Sequence, residues 1–234
     1  MKFNNSVVLI TGANRGLGLE FARQVVERGA KRVYASARDV STIKLTTVVP
    51  VQLDVTKPED AATAALNLSD VTILINNAGI ARPGAFVAEN AQEILREQLE
   101  TNVFGILNLS QAFAPVLARN GGGAIINVLS VLSWINTPMI AGYGVSKAAA
   151  WGLTNGLRHE LRGQKTQVVG LHAGFIDTDL TRGIDVPKAA PEDVVRRTLD
   201  AIEAGSEEVF VDEPSRQVHQ GLSSSVYLKD VIAG

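Results

Sequence analysis

Short apolar runs alternate with longer amphipathic stretches along the whole chain. Several of the runs are continuously apolar and rich in β-branched residues, which is typical of strands covered on both faces. The pattern predicts strands at Val7–Ile10, Arg32–Ser36, Val49–Asp54, Val71–Asn76, Ala124–Leu129, Gln167–His172 and Glu208–Val211.

The stretches between these runs predict helices at Leu17–Arg28, Pro58–Leu66, Glu89–Arg119, Tyr143–Arg162 and Pro191–Ala204. Gly105 and Pro115 lie inside the third stretch, so we expect that helix to bend or break. Regular alternation of strand and helix implies right-handed crossovers and a parallel sheet. The chain is therefore predicted to be an α/β protein with a Rossmann-type, doubly wound parallel sheet of about seven strands.

No linker or repeat divides the chain, and its 234 residues suit a single domain spanning 1–234. The loop at 120–123 separates a helix from a strand rather than two domains. From Gly221 the tail is rich in serine, and we expect it to order only against the body of the protein or another subunit.

Composition excludes several classes of function. The net charge is −2 and basic residues are scattered, so we expect no nucleic-acid partner. There is no cysteine, which excludes disulfides and cysteine-held metals, and the three histidines have no ligand spacing, so no metal site is expected. No signal segment or long apolar stretch is present, which predicts a soluble, cytoplasmic protein without membrane contact.

A glycine-rich loop follows the first predicted strand and opens the first helix. Its sequence, Thr11–Gly18, reads TGANRGLG. Glycines permit a tight turn and close approach of backbone N–H groups to a pyrophosphate, and the helix N-terminus adds partial positive charge. The spacing G-x-x-x-G-x-G differs from the common G-x-G-x-x-G fingerprint, and glycines also serve as ordinary turns.

Three further motifs follow in order: Asp54-Val55 at the end of the third strand, the sequence NNAG at 76–79, and the Y-x-x-x-K pattern from Tyr143 to Lys147. Together with the glycine loop, they resemble the short-chain dehydrogenase/reductase family over essentially the whole chain. The resemblance implies a nicotinamide-dependent oxidoreductase acting on small carbonyl or alcohol compounds. The cofactor contacts that the glycine loop and the resemblance indicate are Gly12, Asn14, Arg15, Gly16, Leu17, Gly18, Arg38, Asp54, Val55, Asn77, Ala78, Gly79, Tyr143, Lys147, Gly174, Ile176 and Thr178.

Basic residues predict NADP(H) rather than NAD(H). An acidic residue at the end of the second strand would bind the adenosine ribose and repel a 2′-phosphate. Here Ala37 takes that place and Arg38 follows it, while Arg15 lies in the glycine loop. Two guanidiniums suit a phosphate in charge and geometry. The alternative is that both are solvated surface arginines, and the nearby Asp39 complicates the choice.

Tyr143 and Lys147 are the candidate proton-transfer pair. Residues four apart lie on one face of a helix. A nearby ammonium is expected to lower the pKa of the tyrosine and make it a proton donor to a carbonyl or a base toward an alcohol. Without the other motifs, a surface Tyr/Lys pair would be the simpler interpretation.

Ser130 is the third candidate catalytic residue. It ends the fifth predicted strand, at the edge where open α/β sheets bind ligands, and precedes Tyr143 by thirteen positions, as the family's active-site serine does. Its hydroxyl would hold the substrate oxygen for hydride attack. Ser133 and Ser146 are its rivals.

The resemblance adds Asn102, which matches the family's helix asparagine that holds a water linking the lysine to solvent. A local backbone contact is the alternative. It also implies that the loop from Gly174 to Thr178 binds the nicotinamide carboxamide, through the Ile176 backbone and the Thr178 hydroxyl. His172 is expected to be a half-buried residue at a strand end rather than a catalytic acid.

Two segments are shorter than the family usually has. Asp39–Val48 leaves room only for an abbreviated crossover, and Asp179–Ala190 for a small lid over an open pocket. Trp134, Met139 and Phe175 are candidate pocket residues, with ordinary core packing an equal alternative.

The sequence therefore favours NADPH-dependent reduction of a ketone or aldehyde. Two alternatives stay open: a 3-oxoacyl thioester reductase, and a binding protein that senses NADP(H) without turnover. By resemblance, the chain is expected to form a homodimer or homotetramer through the helices predicted at Glu89–Arg119 and Tyr143–Arg162.

Overall fold

A computed structural model describes residues 1–138 and 140–229. Its centre is a seven-stranded sheet in the order β3-β2-β1-β4-β5-β6-β7, and every neighbouring pair is parallel. The strands are β1 Val7–Thr11, β2 Arg32–Ala37, β3 Val49–Gln52, β4 Ile73–Asn76, β5 Gly123–Val128, β6 Thr166–His172 and β7 Glu208–Phe210. This is the single-domain, Rossmann-like fold that the alternating pattern predicts.

Helices cover both faces of the sheet. They are α1 Gly16–Glu27, α2 Pro58–Asn67, α3 Ala91–Leu99, α4 Gly105–Arg119, α5 Ala141–Leu161, α6 Pro191–Glu203 and α7 Glu213–Gly221. One core joins apolar side chains of α1 and α6 to β-strand residues such as Val8 and Ile10, and a second joins α2, α4 and α5 to residues such as Leu9 and Leu74. Alternate residues of β1 thus enter opposite cores, as a sheet buried on both faces requires.

The direction of strand order reverses between β1 and β4, which are adjacent in the sheet although the chain between them visits β2 and β3. Loops leaving the carboxyl ends of these two strands diverge to opposite faces and leave a crevice between them. The glycine loop after β1 and the segment after β4 both lie at this point, so the topology positions the predicted cofactor motifs together.

The predicted strand ends differ from the observed ones by no more than two residues, and the long third helix is interrupted as expected. The interruption is a π-helical turn at Glu100–Phe104, immediately before Gly105, whereas Pro115 lies within α4. The short crossover after β2 is also confirmed, because Val40–Thr42 forms only a single 3₁₀ turn.

Helix α7 was missed by the pattern analysis. Asp212 caps it by accepting from the backbone N–H of Ser215, and Pro214 lies in its first turn. Asp with Pro and Ser two and three residues later is a helix-start signal, but the pattern assigned no element between the last predicted strand and the tail that begins at Gly221.

Within the described residues, no helix is both long enough and apolar enough to cross a bilayer.

Candidate active site

The glycine loop is tied to the segment after β4 through Thr11. The Thr11 hydroxyl accepts hydrogen bonds from the backbone N–H groups of Asn77 and Ala78, both at 3.0 Å. In return, the Asn77 side-chain amide donates to the carbonyls of Thr11 at 2.9 Å and Gly12 at 3.2 Å. These bonds join the segments that leave β1 and β4 and fix the glycine loop against Asn77 and Ala78.

The loop backbone has the geometry of an anion cradle. Gly12 and Gly16 have φ values of +63° and +52°, which favour glycine. A Cβ atom at Gly18 would lie 2.3 Å from the carbonyl oxygen of Gly12, so no side chain fits there. Helix α1 begins at Gly16 with its N–H groups facing the loop, and a pyrophosphate fits such a site.

The predicted adenosine contacts lie at the ends of β2 and β3. Arg38 is exposed. Burial opposes ionisation of Asp54, but hydrogen bonds from Thr56 and the charge of Arg38 outweigh it and hold the pKa of Asp54 below its usual value. Asp39 caps the 3₁₀ turn, its carboxylate accepting from Ser41 N–H at 2.9 Å. The Ser41 hydrogen bonds hold the pKa of Asp39 below its usual value, so a negative charge stays next to Arg38.

Arg15 lies in the glycine loop, immediately before α1. Its guanidinium is largely exposed and pairs with the carboxylate of Asp179 at 3.2 Å. The pair connects the glycine loop to the segment after β6. A cavity of about 370 Å³ opens beside it, lined by Gly16, Asp177, Thr178, Asp179, Arg182, Gly183 and Lys188.

Ser130 and Tyr143 are brought together as predicted. Ser130 is buried just beyond the end of β5, where its hydroxyl accepts from the N–H of Leu132 at 3.1 Å, and its side chain lies next to that of Tyr143, the third residue of α5. Burial raises the pKa of Tyr143 to about 12, although the Ser130 hydrogen bond opposes the rise. The tyrosine is therefore a protonated donor at neutral pH.

The rival serines face backbone groups or a neighbouring amide. Ser133 accepts from the N–H of Ser130 at 3.4 Å, and Ser146 donates to the carbonyl of Tyr143 at 2.8 Å. Both support the positions of the other residues, which leaves Ser130 as the serine hydroxyl that meets the tyrosine.

Lys147 is buried beside the tyrosine. Its Nζ donates to the carbonyl of Val128 at 2.7 Å and lies 5.5 Å from the centre of the Tyr143 ring. Burial lowers the pKa of Lys147 to about 8. The pKa of Tyr143 is therefore raised and not lowered as expected. Burial of the tyrosine is the largest cause, and the Lys147 ammonium donates its hydrogen bond to the Val128 carbonyl and not to the tyrosine.

Asn102 lies fully buried in the π-helical turn and binds the chain beyond the NNAG motif. Its side-chain oxygen accepts from Ile80 N–H, and its nitrogen donates to Ile80 C=O and to the Ser146 hydroxyl, each at 2.9 Å. A Cβ at Gly79 would lie 3.1 Å from the Asn102 oxygen and 3.8 Å from Lys147 Nζ. The side chains of Asn102 and Lys147 therefore both lie next to Gly79.

The loop after β6 is anchored at both ends. Gly174 N–H donates to the carboxylate of Asp212 at 2.6 Å, and Ile176 forms a bridge with Ala189. A Cβ at Gly16 would meet the Thr178 methyl at 3.5 Å, so Thr178 lies next to the glycine loop. The predicted carboxamide loop thus borders the same crevice.

Some predicted residues have other roles in the structure. The side chains of Leu17 and Val55 are part of the hydrophobic cores, so only their backbones are available to a cofactor. Trp134 stacks on His172, Phe175 is half-buried, and the predicted pocket residue Met139 lies outside the described residues.

Two polar residues were misjudged or missed. His172 is completely buried rather than half-buried, since the aromatic side chains around it and the carboxylate of Glu208 cover its ring. Asp212 escaped notice because its role depends on α7; its helix-start signal was visible in the sequence, but its bond to Gly174 was not. Across residues 1–138 and 140–229, no three acidic or histidine side chains cluster in a way that could hold a metal ion.

Comparison with known proteins assigns the family. The family model described as short chain dehydrogenase matches residues 6–188. A 3-oxoacyl-[acyl-carrier-protein] reductase FabG of Vibrio cholerae is 30% identical, with 79% of each chain covered. A 3alpha-hydroxysteroid dehydrogenase of Mediterraneibacter gnavus is 29% identical over 88% of this chain and 85% of that protein.

A solved structure agrees with this assignment. A short chain dehydrogenase from Burkholderia cenocepacia, crystallised in complex with NADP, is 38% identical and superimposes with a TM-score of 0.93 over 98% of this chain and 100% of that one. With a family match over most of the chain and this likeness in fold, the protein belongs to the short-chain dehydrogenase/reductase family of oxidoreductases.

Proposed function

We propose that the protein reduces a ketone or aldehyde to an alcohol with NADPH, reversibly, using Ser130, Tyr143 and Lys147. The single observation that carries the proposal is the meeting of these three side chains beyond the end of β5, beside the crevice where the glycine loop lies. On this proposal, one domain, 1–234, both binds the cofactor and performs catalysis.

The cofactor would lie across the crevice between β1 and β4. The glycine loop and the N-terminus of α1 would hold its pyrophosphate, Asp54 and Val55 its adenine, and Arg15 and Arg38 its 2′-phosphate. Asn77, Ala78 and Gly79 would border its central part, and the Gly174–Thr178 loop its carboxamide. When bound, the reduced nicotinamide supplies the hydride.

Ser130 and Tyr143 would act on the substrate oxygen. Their side chains lie next to each other, so on this proposal the two hydroxyls hold one carbonyl oxygen and polarise its bond. The Tyr143 hydroxyl then gives its proton to the oxygen as negative charge develops there. Lys147 would hold the nicotinamide ribose and stabilise the tyrosinate, and Asn102 would support the path by which a proton returns.

The state of Lys147 predicts a pH dependence. Its pKa is lowered to about 8, so the ammonium is present below that pH and is lost above it. We expect kcat/KM for carbonyl reduction to be level below pH 8 and to fall about tenfold per pH unit above it, as expected for loss of one essential proton. A profile that stays level to pH 10 would contradict this role for Lys147.

The proposal is tested by mixing the enzyme with NADPH or NADH and a panel of aryl ketones, alkyl ketones, aldehydes and a 3-oxoacyl thioester, and following loss of reduced-nicotinamide absorbance. Decay with NADPH and a carbonyl is the expected result. Tight NADPH binding without turnover of any carbonyl would favour the sensing alternative and count against carbonyl reduction.

Arg38 is expected to determine preference for the phosphorylated cofactor. Replacing Arg38 with leucine removes a charge-assisted contact to the 2′-phosphate, so we expect the KM for NADPH to rise about 10- to 100-fold and that for NADH to change little. Arg119→Leu is the matched control, an exposed arginine at the end of α4. Equal effects on both cofactors would show that Arg38 does not contact the phosphate.

A 3-oxoacyl thioester reductase is the second candidate, favoured by the name of the Vibrio cholerae relative. Such an enzyme needs a basic surface for an acidic carrier protein. Arg196 and Arg197 are adjacent basic residues on α6, but Arg196 pairs with Asp193 and Arg197 donates to the carbonyl of Val211. These contacts count against the carrier-protein alternative, and the thioester in the panel tests it.

Assembly into a homodimer or homotetramer stays a prediction, as does the cytoplasmic location. Phe104, at the end of the π-helical turn before α4, is 45% exposed and supports an interface on that side of the molecule.

A further inference from the structure

A buried histidine outside the proposed catalytic set binds the backbone of Ser130. His172 is the last residue of β6 and is fully buried. Its Nδ1 lies 3.1 Å from the carbonyl oxygen of Ser130, and its Nε2 lies 2.8 Å from a carboxylate oxygen of Glu208, on β7. Both ring nitrogens therefore face acceptors.

The two partners connect the ring to the Ser130 peptide and to β7. A backbone carbonyl can only accept a hydrogen bond. Burial opposes ionisation of Glu208, but hydrogen bonds from His172 and Arg158 and the charge of Arg158 outweigh it and hold the pKa of Glu208 below its usual value. The ring thus meets the Ser130 carbonyl through Nδ1 and the Glu208 carboxylate through Nε2.

The surrounding side chains hold the His172 ring and its Glu208 partner in place. Arg158 on α5 donates to the other oxygen of Glu208 at 3.0 Å and lies 3.9 Å from Glu207. Trp134 stacks on the His172 ring with 4.0 Å between centroids. The remaining titratable ring nearby, His219 on α7, is separated from His172 by Phe210 and Trp134, which it contacts.

The peptide bond between Ser130 and Val131 is held at its C=O by His172, the last residue of β6, and at its N–H by Ala173. His172 binds its carbonyl oxygen, and its N–H, which belongs to Val131, donates to the carbonyl of Ala173 at 2.9 Å. The orientation of this peptide sets the direction of the Ser130 Cα–Cβ bond, and hence where the hydroxyl meets Tyr143.

We propose that His172, held by Glu208, is a positioning residue that fixes the Ser130 peptide and so directs the Ser130 hydroxyl at the substrate oxygen. The inference rests on the proposed function only for its catalytic consequence. The two contacts of His172, with Glu208 and with the Ser130 carbonyl, connect strand β7 to the active site.

Two substitutions at one position separate the two bonds of the ring. Asparagine places an amide nitrogen near the position of Nδ1, and glutamine places one near Nε2. His172→Asn therefore keeps the donor to the Ser130 carbonyl and gives up Glu208, whereas His172→Gln does the reverse. Both are polar and of similar bulk, so each serves as the control for the other.

We expect His172→Gln to lower kcat about 10- to 100-fold with the KM for NADPH unchanged, since a small misplacement of a catalytic group has effects of this size. His172→Asn should recover most of that loss. Equal kcat values in the two variants, whether both low or both like the wild type, would overturn the positioning role.

Amide hydrogen exchange at Val131 reports how firmly the same peptide is held, without any turnover, because the Val131 N–H belongs to the peptide whose carbonyl His172 contacts. It should be faster in His172→Gln than in His172→Asn, and equal rates would overturn the proposal. A wild-type enzyme that reduces no carbonyl would refute the proposed function alone, because this exchange comparison would still decide the positioning role.

Glu208→Gln is the second variant if substitutions at His172 prevent folding. It leaves the imidazole in place but removes the carboxylate that holds Nε2. We expect a smaller fall in kcat and a smaller rise in Val131 exchange than in His172→Gln. Wild-type values for both would contradict the inference.

Discussion

Replacing Tyr143 with phenylalanine is expected to lower kcat for carbonyl reduction about 10³-fold while leaving the affinity for NADPH within a few-fold of the wild type. The change removes only the hydroxyl that is bonded to Ser130 and that would protonate the substrate oxygen. General acid catalysis by a positioned side chain contributes about 10²- to 10⁴-fold. Steady-state rates and NADPH fluorescence titration measure the two quantities.

Tyr227→Phe is the matched control for this variant. Tyr227 is 53% exposed, so removing its hydroxyl should leave kcat unchanged. A Tyr143→Phe enzyme that keeps more than a tenth of wild-type kcat would mean that another group, or water, donates the proton.

Replacing Gly18 with alanine is expected to weaken NADPH binding by at least about 100-fold. The new Cβ would lie 2.3 Å from the Gly12 carbonyl oxygen and 2.5 Å from the Asn77 amide nitrogen, and the first of these is backbone that must shift. Because Asn77 fixes the loop through the carbonyls of Thr11 and Gly12, the shift would distort the pyrophosphate cradle. Forcing extra atoms into a packed site also lowers stability by about 1–3 kcal/mol.

Gly163→Ala is the control, since a Cβ there meets nothing within 4 Å. It should leave both NADPH affinity and the melting temperature near wild-type values. A Gly18→Ala protein that melts at a lower temperature but binds NADPH normally would contradict the placement of the pyrophosphate on this loop.

The fold was predictable because its signal is local. Each strand is a short apolar run, and residues such as Val8 and Leu9 need only alternate between two covered faces to define it. The candidate site was predictable for the same reason: Tyr143 and Lys147 share one helix turn, and the glycine loop is continuous in sequence.

Contacts between distant segments could not be predicted in this way. His172 and Glu208 lie on neighbouring strands 36 residues apart, and their bond depends on register that no local pattern specifies. The raised pKa of Tyr143 is a second example, because it results from burial created by several packed segments. The interruption of the long helix was expected, but its π-helical form at Glu100–Phe104 depends on how Asn102 packs against Ile80 and Ser146.

The central claim is hydride transfer to a carbonyl, and it is tested most directly with NADPH in which both hydrogens on the transferring carbon of the nicotinamide are replaced by deuterium. After reaction with a carbonyl from the panel, the mass of the alcohol is measured. The account predicts one deuterium per molecule of product, on the carbinol carbon, formed by the wild type and about 10³-fold more slowly by Tyr143→Phe. Alcohol without deuterium, or no alcohol from any carbonyl despite bound NADPH, would contradict it.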